Sequence, residues 1–170
     1  MKLFYISLFA ITFTVNSFSQ NFLKKNAGNC FSLEVPSYMA KTFDLNDVAS
    51  LQYSNIIKEA YTIVIEDSKD ELNSLNMIFQ DPKEFLENFT VDYQLESTNR
   101  TISEITEFKS NENLHAQVEM TCGGEDADFY MIITCVETKD HFYKILCWTI
   151  LENKDVLKND YLIISKSLVD

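Results

Sequence analysis

A chain of 170 residues, 46% hydrophobic and 24% charged, is long enough to bury one core and too short for two ordinary domains. Its 26 acidic against 14 basic side chains, a formal net charge of −12, repel phosphate backbones and so exclude nucleic acid and anionic lipid surfaces as favoured partners. A basic partner or a cation remains compatible, and the plainest role of the charge is to keep the chain in solution.

The first residues carry the layout of a secretory signal peptide: basic Lys2, an uncharged apolar run from Leu3 to Val15, then Ser17 and Ser19 on either side of Phe18. Cleavage is expected after Ser19. The apolar run spans 13 residues, short of the about 20 that a spanning helix needs. The expected organisation is therefore a signal peptide over 1–19, a linker over 20–29 and one domain over 30–170, exported to a periplasm or secreted, with no membrane span in the mature chain.

Past the linker, Phe31, Leu33 and Val35 alternate with Ser32 and Glu34 until Pro36 stops the strand. Residues 38–47 read as loop and Leu51 to Tyr53 as a short strand. Ala60 to Ile65 is apolar on both faces, the mark of a more central strand. Leu72, Leu75 and Phe79 suit one face of a short helix. Asp81-Pro82-Lys83-Glu84 is a helix start with a mechanism: Asp81 caps, Pro82 lacks the N–H that the first position would orphan, and Glu84 closes a box. Phe85, Leu86, Phe89 and Tyr93 then form an apolar stripe in a helix expected to run to about Glu96. Ile102 to Phe108 reads as a single strand.

Three antiparallel strands follow, from Leu114 to Met120, then through the hairpin Asp128 to Ile150. Their turns fall at Asn111-Glu112-Asn113 and at Cys122-Gly123-Gly124-Glu125-Asp126, where the glycines are expected to supply positive φ. Centring the hairpin turn on Lys139 and Asp140 sets Cys135 opposite Lys144 and Cys147 opposite Ile132, with the two thiols on opposite faces. In this register Leu114, Ala116, Val118, Met120, Phe129, Met131, Ile133, Leu146 and Trp148 share a dry face. His115, Gln117, Glu119, Tyr130, Ile132, Tyr143 and Ile145 share a face expected to be only partly dry. A last helix from about Asn153 places Leu157, Tyr161, Ile164 and Leu168 in one stripe, which must cover a sheet face.

No pair of the four cysteines has CxxC spacing. With Cys135 and Cys147 on opposite faces, Cys30 and Cys122 are the disulfide candidates by elimination. His115, Gln117 and Glu119 point to one side of a strand, where they could hold a metal or trade a proton, although a polar stripe on the wetter side of a sheet is the simpler account. His141 is expected to be a turn residue, and Glu125, Asp126 and Asp128 a charged loop without the spacing of a calcium loop. No GxSxG, HExxH, SxxK or glycine-rich phosphate loop is present. No cofactor or catalytic residue is assigned.

Strand, strand, helix, antiparallel meander and closing helix, with FSLEVPSYM at the start, YMIITCVETKDHFYKILCWTI in the hairpin and NDYLIISKSLV at the end, resembles the PsbP-like superfamily from Phe31 to Leu168. The resemblance implies an α+β fold, an antiparallel β-sheet with helices packed on both faces in an α/β/α sandwich. That superfamily includes an extrinsic photosystem II protein, a nuclear-import factor that binds a small GTPase, and small exported bacterial proteins. It implies action by binding and supplies no shared active site. Two readings follow: a non-enzymatic accessory protein that binds a protein partner through its acidic surface or an open sheet edge, and a small metal-dependent or hydrolytic enzyme using His115 with neighbouring acids. A small apolar ligand between the sheet and the helix from Pro82 is a third, inseparable from ordinary core at this level.

Overall fold

The computed structural model describes residues 20–28 and 30–170; the signal peptide expected over 1–19 lies outside them. In chain order come β1 (Phe22–Ala27), β2 (Phe31–Pro36), β3 (Ala40–Lys41), β4 (Leu51–Asn55), β5 (Ala60–Ser68), α1 (Lys69–Ser74) and α2 (Pro82–Asp92). They are followed by β6 (Thr101–Ile102), β7 (Thr106–Ser110), β8 (Asn113–Gly123), β9 (Asp128–Glu137), β10 (His141–Ile150) and, after a single 3-10 turn at Leu151–Asn153, α3 (Lys154–Lys166). β1 and β2 make a small antiparallel sheet. The rest form one antiparallel sheet in the order β3-β4-β5-β10-β9-β8-β6, with β7 also on β8.

The hairpin keeps the expected register: Cys135 pairs with Lys144 and Cys147 with Ile132. Because side chains alternate along a strand, the sheet feeds two cores. Val118, Met120, Met131, Ile133, Cys135 and Leu146 cluster with Phe85 and Leu86 of α2. Tyr130, Ile132, Tyr143, Ile145 and Cys147 cluster with Leu157, Tyr161 and Ile164 of α3 and with Phe31, Leu33 and Val35 of β2. The face expected to be only partly dry is drier than that: Tyr130, Ile132, Tyr143 and Ile145 are each 0% exposed, and Glu119 stays half-buried. Two roofs, α3 and the β1–β2 sheet, seal it.

The α2 start works as its residues dictate. Asp81 Oδ1 accepts from the Glu84 N–H at 2.8 Å, and Glu84 reaches back to the Gln80 N–H at 2.7 Å. The helix ends at Asp92 instead of near Glu96, with Gln94 at φ 55°. Leu75 and Phe79 fall outside α1, which is terminated by Asn76 at φ 58°. The single strand expected over 102–108 is two, split where Ser103 exchanges bonds with Glu119: its N–H donates to the Glu119 carbonyl, and its hydroxyl accepts from the Glu119 N–H, both at 2.9 Å.

The linker expected over 20–29 is mostly β1, paired with β2 from Phe22 opposite Pro36 to Ala27 opposite Phe31. Gly123 and Gly124 do not supply positive φ; they permit close approach, since a Cβ on Gly123 would lie 2.1 Å from Thr98 Oγ1 and 2.9 Å from the Thr98 carbonyl. The Cys30–Cys122 bond is not formed. Cys30 is an exposed thiol in the β1–β2 turn and Cys122 a buried one in the α2-side core. Among the described residues no helix is long and apolar enough to cross a membrane.

Candidate binding site

The polar stripe on β8 does not converge. Successive members stand about 6.8 Å apart along a strand, and each is engaged locally. His115, 1% exposed, stacks on Phe108 at 4.8 Å between ring centres, with Nε2 3.3 Å from the Ser110 carbonyl. Burial pulls its pKa down, against the backbone carbonyls of Ser110 and Ser165. Gln117 donates to Thr134 Oγ1 at 2.7 Å. Glu119 accepts from Lys158 at 2.6 Å and from the Tyr130 hydroxyl at 2.9 Å, with Lys154 Nζ 3.9 Å away. Burial pushes the Glu119 carboxyl up, but those bonds and the two lysine charges hold it below the usual carboxylate range.

The other polar candidates are equally dispersed. His141, at the head of β10 and not in the turn, lies between Glu66 at 3.3 Å and Asp170 at 3.7 Å. Asp128 accepts from Asn99 at 3.5 Å, while Glu125 and Asp126 are exposed. Among the described residues no three His, Cys, Asp or Glu side chains are grouped to hold a metal ion.

What the structure does assemble is an apolar cleft of about 360 Å³ beside α2. Its floor is buried core: Ile63 of β5, Met131 of β9 and Leu146 of β10. Its walls are half-buried aromatics, Phe89 and Tyr93 on one side, Phe129 and Trp148 on the other, with Ile65 and Leu45 between. Trp148 is held by stacking on Tyr61 (5.3 Å, 15°), and Phe89 rests on Tyr93 at 4.7 Å. Only the amides of Asn46 and Gln94 add polarity at the rim; no charged side chain lines the cleft. Burial raises the Tyr93 phenol, so it stays neutral.

Two residues outside the cleft fix its walls. Gln52, 6% exposed, accepts from the N–H groups of Leu45 (2.9 Å) and Asn46 (3.1 Å) and donates to the Asn46 carbonyl (2.6 Å). It thereby clamps the loop before β4. Arg100 donates to the carbonyls of Thr90 (2.6 Å) and Tyr93 (3.1 Å) at the end of α2, where a cation also suits the helix dipole. Sequence reading passed over both, because a glutamine in a strand and an arginine in a loop look ordinary until their partners are known. The one hint was the polar stretch Ser97 to Arg100, which breaks the helical pattern.

No family model and no curated protein sequence matches the chain. Solved structures do. Cyanobacterial PsbP (CyanoP) from Synechocystis sp. PCC 6803 is similar at TM-score 0.56 and 6% identity, over 91% of this chain and 95% of that one. LpqN of Mycobacterium tuberculosis, described as involved in cell envelope biogenesis, is similar at TM-score 0.59 and 8% identity, over 89% and 91%. A Pseudomonas aeruginosa protein of unknown function matches at 0.52 and 8%, over 88% and 96%. Identities this low carry architecture and nothing about activity: the chain has the PsbP-like fold that its element order resembled.

Proposed function

We propose that this protein is an exported, non-enzymatic accessory protein that acts by binding a protein partner, with the cleft beside α2 as the docking place. The observation that carries the proposal is four half-buried aromatic rings around an uncharged hollow, on a surface otherwise dominated by acids. Packed cores bury such rings, and interfaces use them as anchors. The placement of α2 and α3 in separate cores supports the α/β/α sandwich, and the signal-peptide layout supports export to a periplasm or beyond. LpqN, described as involved in cell envelope biogenesis, is consistent with that setting. His115 and Glu119 fit a structural role better than a catalytic one, since both are committed to neighbours within the domain.

The test is capture from the native exported fraction by immobilised protein at low and moderate salt, beside a Leu45→Arg variant that puts a cation in the cleft wall. A partner retained by the wild type and lost with the variant is the expected result. Recovery of nothing beyond the bare matrix at either salt overturns the binding role, and equal recovery by the variant removes the cleft from it.

A further inference from the structure

We infer that the cleft's occupant is a short basic segment of the partner, which inserts one apolar side chain between Phe89, Phe129 and Trp148 and lays a lysine or arginine over the acidic shoulder beyond Gln94. The inference rests on the reading that the protein binds a protein partner, and it names the chemistry of that partner.

The cleft does not end at Gln94. The same side chain borders a second, shallower hollow whose other walls include Asp92 and Glu96. Gln94 thus stands between an uncharged apolar slot and a hollow bordered by two carboxylates. Two more acids, Asp44 and Asp47, both exposed, bracket the Leu45–Asn46 wall in sequence. Among the described residues Asp44, Asp47, Asp92 and Glu96 join no ion pair.

The nearby cations are fewer. Lys144 is paired with Asp67 at 2.7 Å and lies over the rings of Phe85 and Phe89, whereas Arg100, turned to the α2 carbonyls, and Lys41, over Phe43 at 5.0 Å, keep their charge. Asp44, Asp47, Asp92 and Glu96 outnumber those two cations, so the mouth carries a net negative field around an apolar floor. Such a site attracts positive charge on approach and rejects an acidic segment. A volume of about 360 Å³, at the small end of ligand cavities, suits one large apolar side chain with its flanking backbone better than an extended lipid chain.

Trp148 is the only tryptophan in the chain, so its emission reports occupancy of the cleft directly. The probes are three synthetic nonapeptides, each with one central leucine flanked throughout by lysine, by glutamine or by glutamate, and the neutral dye Nile red. The lysine peptide is expected to shift Trp148 emission and to saturate, the glutamine peptide to bind at least about tenfold more weakly, and the glutamate peptide not at all. Raising salt should close the gap between the first two. Asp92→Asn with Glu96→Gln, both exposed and without fold consequences, should weaken the lysine peptide about fivefold, the scale of two exposed charge pairs, and leave the glutamine peptide unchanged.

Equal binding of lysine and glutamine peptides overturns the basic partner. So does a protein that takes up Nile red in the cleft but no peptide, which would make the site one for a small neutral ligand. No emission change with any probe, beside a partner captured from the exported fraction, moves docking elsewhere and leaves the binding role standing. Failure of capture alone, with the peptide series as expected, rejects the role and not the cleft chemistry.

Discussion

Leu157 and Val156 are neighbours on α3 with opposite surroundings, and they test how that helix meets the sheet. Leu157 is 1% exposed and packs in the core that contains Val64, Tyr130, Ile132 and Ile145; Val156 is 70% exposed. Leu157→Ala deletes three carbons, worth about 2.4 kcal/mol of transfer free energy at about 0.8 kcal/mol per buried methylene. The hole left between a helix and a sheet tied on both sides collapses only in part, which brings the expected loss to about 3–4 kcal/mol. For a chain of this size that is a fall in Tm of roughly 6–16 °C. Val156→Ala removes two carbons that already meet water and substitutes a better helix former, so it should be neutral or slightly stabilising, within about 0.5 kcal/mol. Urea unfolding followed by far-UV circular dichroism gives both numbers from the midpoints. A Leu157→Ala loss under about 1 kcal/mol, or equal losses for the two variants, would refute the packing of α3 against the sheet.

Asp81→Ala should cost about 1 kcal/mol in the same assay by removing the cap on Glu84 N–H; no change would mean that α2 does not depend on its cap. Glu119 and Asp160 should respond to pH in opposite senses. The Glu119 carboxyl lies below its ordinary 4.5, so its stabilisation is present above that value and is lost as pH falls through the depressed one. Glu119→Gln should therefore be less stable than wild type at pH 7, with the gap closing in acid. Asp160 is raised above its ordinary 3.8 by burial, which outweighs Tyr38, Lys58 and Gln20. Its contribution is lost as pH rises through the raised value, so Asp160→Asn, which keeps an acceptor for the Tyr38 hydroxyl (2.6 Å), should equal or exceed wild type at pH 7. Iodoacetamide followed by mass measurement should add one group to the native protein, at Cys30, and four after unfolding. Burial pushes the Cys147 thiol up to about 12 and raises Cys135 further, which protects both until the core opens. Two adducts after unfolding would mean that a disulfide exists.

Where a residue's neighbours are set by the period of its own strand or helix, the sequence was enough. The pairing of Cys135 with Lys144 follows from the length of the turn, and the α2 cap follows from three side chains within the four residues Asp81 to Glu84. β1 was missed because Leu23, Lys24, Lys25 and Asn26 show no clean alternation; an edge strand half in water does not need one, and its burial pattern is correspondingly mixed. The second sheet face was read as damp because His115, Gln117 and Glu119 lie on it. What dries it is the β1–β2 sheet and α3, brought from opposite ends of the chain. The cleft is the extreme case. Phe129, Met131, Leu146 and Trp148 share one face as alternation predicts, but only Met131 and Leu146 are buried and Leu114 of that face is 44% exposed; alternation cannot say which part of an apolar face is left without a roof.

The dimensions of the helix decide that. Strands lie about 4.8 Å apart, so the outer two of β5, β10, β9 and β8 are about 14 Å apart and their side chains reach beyond, while one helix with its side chains is about 10–12 Å wide. α2 packs over β8 and β9, and Phe85 stacks on Phe142 at 4.7 Å. The helix then stops after 11 residues, so among the described residues no helix covers the β5 and β10 side of the face beyond Leu146, which is flanked by Leu45 and Ala49 of the loop before β4. On the opposite face α3 touches β2, β9 and β10, and the β1–β2 sheet covers what one helix cannot. A single roof on one side and a double roof on the other thus leave an aromatic hollow on the first face only. The floor of that hollow is shared with the core, so cleft-facing rings such as Trp148 are positioned by the packing that stabilises the fold, and Gln52 and Arg100 need only hold the two walls apart.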